Sequence, residues 1–139
     1  MTSGAFLRII AVVAFVQFLG HGTMFVRARP THGPDEVKVV DAMRSQAFTF
    51  ALAPRTYWDM YYGYGLEAAF VCLVEAALFW LLSGAASGNA MLIRSVAGLF
   101  AAANVAHIGM LVRYFAFPVP MIFDALITTG LIAAAIVAR

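Results

Sequence analysis

The stretch Pro54–Trp80, PRTYWDMYYGYGLEAAFVCLVEAALFW, decides the fold. It opens on polar residues, gathers Tyr57, Trp58, Tyr61, Tyr62 and Tyr64 in close succession, then runs apolar with Glu67 and Glu75 embedded in it. An apolar run of this length crosses a hydrocarbon core of about 30 Å as a helix, with its aromatic cluster at the headgroup level. Backbone groups in lipid must be satisfied within their own segment, so a helix and not a strand is expected.

Working outward, three more stretches have the length and apolarity of a span. The four predicted helices run over about 5–26, 56–82, 90–117 and 119–138. Period-two alternation is absent, which disfavours a barrel. The first span is too long for a signal-peptide core, and MFVRARP offers no small-x-small cleavage site, so it is read as a membrane helix. The composition agrees. The chain has 139 residues, 63% hydrophobic and 12% charged, against about 45–50% and about 25% in soluble domains. The expected fold is all-α: an integral membrane four-helix bundle forming one domain over residues 1–139, with the lipid bilayer as its first partner.

The short connection SGAASGN makes helices two and three antiparallel neighbours, and Pro118 and Pro120 separate helices three and four. The first connection is long. Within it Pro34, Asp35 and Glu36 make a good helix start, and Val37, Val40, Met43, Ala47 and Phe48 fall on roughly one face. This predicts an amphipathic interfacial helix over about 34–51, either a packed connector or a lid. Basic residues near the span ends favour the side of the long connection, with Arg27, Arg29, Lys38, Arg44, Arg55 and Arg113 against Arg8, Arg94 and Arg139. That bias places the long connection in the cytoplasm, although Arg8 on the first helix argues the other way.

Several function classes are excluded. A net charge of +2 without a basic cluster gives no reason to expect nucleic acid. Cys72 is the only cysteine, so neither an intramolecular disulfide nor a thiolate metal site is expected. No nucleophile elbow, H-E-x-x-H or phosphate loop is present.

Ionisable residues inside spans are costly and are functional candidates by default. Toward the side of the long connection lie His21, Asp59, Glu67, Asn104, His107, Arg113 and Tyr114, joined by Asp124 on helix four. Asn104, His107, Leu111 and Tyr114 recur at helical spacing, and Glu67 lies at a depth similar to His107, so a carboxylate–imidazole pair is expected there. The candidates for acid–base chemistry are His21, Asp59, Glu67 and His107. Those for ligand contact are Trp58, Tyr61, Tyr62, Gly63, Gly65, Asn104 and Tyr114. The ordinary reading of Asp59 is a capping box with Thr56; that of Glu67 and His107 is mutual satisfaction that fixes helix register. Glu75 is expected to form a structural ion pair with Arg94 or Arg8 across the short turn. Haem held by His21 and His107 is disfavoured by a depth difference of about 6 Å. No metal or cofactor is expected.

FLGHGTMF around Gly20-His21 and RTYWDMYYGYG from Arg55 to Gly65 resemble a group of small, uncharacterised bacterial four-helix membrane proteins. Those carry Gly-His at the end of helix one and an aromatic-Trp-Asp-x-Tyr-x-Gly-aromatic-Gly run opening helix two. PDEVKVVDAM is similar to theirs too, and the arrangement is distantly DoxX-like. The resemblance covers the first half of the chain by motif and the second by hydropathy. It implies a bacterial inner membrane location and a shared site of His21, Trp58, Asp59, Tyr61, Gly63 and Gly65. It supplies no activity. The expected function is binding of a small apolar or lipid-like molecule, or an accessory role with a membrane partner or a second copy. The alternative is a small membrane enzyme doing acid–base chemistry, such as isomerisation or hydration, on a lipid-soluble substrate.

Overall fold

Thr2 starts the first helix: its hydroxyl accepts the Ala5 amide at 3.2 Å, satisfying a donor that the first turn leaves unpaired. Helix α1 then runs Ser3–Val26. In the computed structural model, which describes residues 1–26, 30 and 32–139, it is followed by α2 (Pro34–Ser45), strands β1 (Ala47–Phe50) and β2 (Ala53–Thr56), and helices α3 (Tyr57–Ala85), α4 (Ala90–Tyr114) and α5 (Pro118–Val137). Helices α1, α3, α4 and α5 are long and apolar enough to cross a membrane. Arg27 and Arg29, counted above for orientation, lie outside the described residues.

The chain forms two compact units, residues 1–18 with 71–139, and residues 19–70. The first unit holds the main core. Leu7, Ile10, Ala11 and Ala14 of α1, Phe79 of α3, Ile93 and Ala97 of α4, and Ile127, Leu131 and Ala134 of α5 are all buried. Many are alanine. Without a hydrophobic driving force between helices in lipid, close approach through small residues is what holds such helices together. Glycine goes further at two contacts. A Cβ at Gly4 would stand 2.9 Å from the Ser83 carbonyl oxygen, and one at Gly130 would overlap the Ile10 Cγ2. Asn89 caps α4 through its side-chain oxygen, which accepts the Leu92 amide at 3.0 Å. Pro118 opens α5 where a missing amide costs nothing.

The second unit departs from the expected interfacial helix over 34–51. That helix ends at Ser45, and Ala47–Thr56 is an antiparallel hairpin pairing Ala47 with Thr56 and Phe50 with Ala53. Phe48-Thr49-Phe50 is a run of strand-favouring residues, and Gln46 is already extended. The helical face read through Ala47 and Phe48 was a short coincidence of spacing. The two-residue turn, Ala51–Leu52, needs a positive φ of 53° at Ala51. Phe48 anchors the hairpin on Tyr57, ring centroids 4.8 Å apart.

Replacing Gly130 by alanine should destabilise the chain by about 1–3 kcal/mol, the usual effect of overpacking. Adding Ile10→Ala should recover part of that loss. Thermal unfolding in detergent checks both; a silent Gly130→Ala would mean that α1 and α5 are not in close contact.

Candidate functional site

Asp124 is the hub of the first unit. It sits one and a half turns into α5, inside a span, and is 2% exposed. A bare carboxylate in hydrocarbon is costly, and three helices address it. From α1, Gln17 donates its Nε2–H to Oδ1 at 3.3 Å. From α4, the His107 Nδ1 lies 2.7 Å from Oδ2. From α3, half-buried Glu75 lies within electrostatic reach of both Asp124 and His107.

Two more polar side chains share these helix faces. Asn104 precedes His107 by three residues, and Thr128 follows Asp124 by four, so each stands one turn from a member of the pair. Both are buried, and the Asn104 Nδ2 and Thr128 Oγ1 have no hydrogen-bond partner among the described residues. The His107 side chain is 47% exposed, at a depth within the α4 span. One edge of the imidazole is therefore tied to a buried carboxylate while the ring reaches the flank of the unit. An imidazole oriented by a carboxylate is a proton acceptor or donor for whatever meets its other nitrogen.

Three expectations are corrected here. Arg94 does not pair with Glu75; its Nη2 donates to the Ala138 carbonyl at 2.8 Å, at the C-terminal end of α5, where a cation is favoured by the helix dipole. Helix α3 continues to Ala85, which leaves Glu75 about 15 Å below that end, whereas Arg94 is only about 6 Å into α4. Arg8 is also engaged elsewhere, near Ser83 and over the Trp80 ring. Nor does Glu67 face the interior. It is exposed, because the buried stripe of this part of α3 passes through Gly65 and Ala69, and Glu67 stands about 200° around the helix from Gly65. The carboxylate beside His107 is Asp124. Tyr114, expected on the inward face of α4, is 73% exposed beneath the Arg113 guanidinium.

In the second unit, Asp59 and Thr56 form the capping box read from the sequence. The Thr56 amide donates to Asp59 Oδ2 at 2.8 Å, and the Asp59 amide to Thr56 Oγ1 at 3.1 Å. No hydrogen bond or ion pair among the described residues links Asp59 to His21. His21 instead packs against Phe25, ring centroids 5.1 Å apart and tilted by 43°, and its buried Nε2 has no hydrogen-bond partner among the described residues. The Phe25 ring occupies the space a Cβ on Gly65 would need, whereas Gly63 faces open space. Phe25 also meets Tyr61 and Tyr62, which pack on Trp58, and the Arg44 guanidinium lies 4.4 Å from the Trp58 ring centroid. This is an aromatic cluster held by ring-on-ring packing.

Sequence reasoning noticed Asp124 without giving it a role, and it missed Gln17 and Thr128. The four-residue step from Asp124 to Thr128 was the available signal. Among the described residues, no group of three or more His, Cys, Asp or Glu side chains is placed to hold a metal ion. The chain matches no protein-family model, no curated protein and no solved structure.

A double-mutant cycle in detergent separates the pair that forms from the one that does not. Asp124→Asn and His107→Gln should couple by about 0.5–3 kcal/mol, while Glu75→Gln and Arg94→Gln should add to within about 0.5 kcal/mol. Additivity in the first cycle would mean that the 2.7 Å contact contributes nothing.

Proposed function

We propose that this chain is a membrane protein that binds a small lipid-soluble molecule by its polar head at the Asp124–His107–Asn104–Thr128 cluster. One observation carries this reading: two side chains inside spans, Asn104 and Thr128, one turn from the His107–Asp124 pair, are buried with polar atoms that have no partner among the described residues. An unsatisfied buried donor or acceptor costs about 1–3 kcal/mol, so a partner at these atoms is favoured. On this reading the half-exposed His107, on an apolar helix long enough to span, is the route by which a molecule in the lipid phase reaches them. An open recess of about 590 Å³ elsewhere in the same unit, lined by Ser3, Ser83 and Ser87 among others, does not include the cluster. On this reading the long first connection lies on the cytoplasmic side of a bacterial inner membrane, following the excess of basic residues there.

A second reading has its own support. His107, with its Nδ1 2.7 Å from the Asp124 carboxylate, has the arrangement of a general base. Acid–base chemistry on a lipid-soluble substrate, such as an isomerisation, needs no more than this. The two readings share the same residues and differ in whether the bound molecule leaves unchanged.

Native mass spectrometry of protein extracted in mild detergent tests the binding. The wild-type chain should carry a small molecule, and Asn104→Leu should reduce its occupancy by roughly tenfold or more, the equivalent of one lost buried hydrogen bond. Glu67→Gln, an exposed position on α3, should leave occupancy unchanged. Equal loading of wild type and Asn104→Leu would overturn the site, and a wild-type chain carrying only bulk phospholipid would overturn the function.

A further inference from the structure

We propose that the tip of the β1–β2 hairpin, Phe50 to Leu52, inserts into the acyl boundary of the bilayer and anchors the second unit to the lipid surface. Leu52 is fully exposed at 102%, and Phe50 is 55% exposed beside it. A two-residue hairpin turn with a positive φ is closed without strain by Asn-Gly or Asp-Gly, which also suit water. Here it is closed by Ala51 and Leu52, with Ala51 at φ 53°. The turn therefore accepts backbone strain and presents hydrocarbon at its most exposed point.

The chain's path says what meets that hydrocarbon. Strand β2 ends at Thr56 and the α3 span begins at Tyr57, with no linker between them. Helix α3 has 29 residues and is about 43 Å long, close to the thickness of a bilayer with its headgroups, so Tyr57 lies at headgroup level. Four residues of strand reach about 13 Å, so a hairpin lying along the surface holds its tip at the bilayer boundary beside that point. The base of the hairpin carries headgroup-level chemistry: Phe48 on Tyr57, the Arg44 guanidinium over Trp58, and exposed Arg55 on β2. Aromatic rings with flanking cations are favoured at an anionic lipid surface, and the apolar tip extends beyond them. The occupant is the bilayer itself, through acyl chains at the tip and lipid phosphates at the arginines.

The test uses the full chain, with Cys72→Ser as background, reconstituted in phosphatidylcholine–phosphatidylglycerol vesicles. A nitroxide is attached at Leu52→Cys, with Asp41→Cys on exposed α2 as the aqueous comparison. Leu52 projects away from the protein, so labelling there leaves the fold intact. Insertion predicts high oxygen accessibility at position 52 and several-fold lower accessibility to a water-soluble nickel chelate than at position 41. Nickel accessibility equal to that at position 41 would place the tip in water and overturn the proposal. Low accessibility to both reagents would mean that protein covers it, and would overturn the proposal as well. Neither result bears on ligand occupancy at Asn104, so failure here leaves the binding site standing.

Discussion

A carboxylate buried in the apolar interior of a helix bundle must be compensated, and in this chain that requirement organises the polar residues of the first unit. Asp124 draws Gln17 from α1 and His107 from α4, and Glu75 of α3 stands within its field. Apolar packing among alanines gives little rotational preference, because small side chains offer few distinctive knobs. A charge that must be met from particular directions supplies it. Beside the His107–Asp124 pair, the buried Asn104 Nδ2 and Thr128 Oγ1 have no partner among the described residues, and the proposed binding of a polar head rests on them.

The spans were legible because a bilayer leaves few options. Length, apolarity and the turn residues at SGAASGN and Pro118 located all four helices to within a few residues. The hairpin was not legible. Phe48 and Ala47 fit the face of α2 by spacing, and a short run of apolar residues carries both periods at once. What ended the helix was local conformation at Gln46, not a proline or glycine.

The site was half legible for a related reason. Depth along a helix can be counted from its ends, whereas direction around it needs the packed neighbours. Glu67 had a suitable depth but points away, because Gly65 and Ala69 take the inward positions. The pairing of Glu75 with Arg94 failed on depth, since α3 continues past its expected end. The capping box at Asp59 was legible because it is a local motif, complete within four residues, whereas a site shared with His21 needed the packed neighbours. Asp124 became central only once α1 and α4 were in place around it.

The half-exposure of His107 on the flank of a span has a consequence for how any ligand would be discriminated. If the proposed ligand enters from the lipid phase, it partitions first and binds second. Its apparent affinity, measured against its concentration in water, then contains the partition coefficient as a factor. Each methylene added to its tail contributes about 0.8 kcal/mol to that factor, roughly a fourfold gain, without touching the protein. The tail governs how much ligand the bilayer supplies. The polar head alone governs which of the supplied molecules is held.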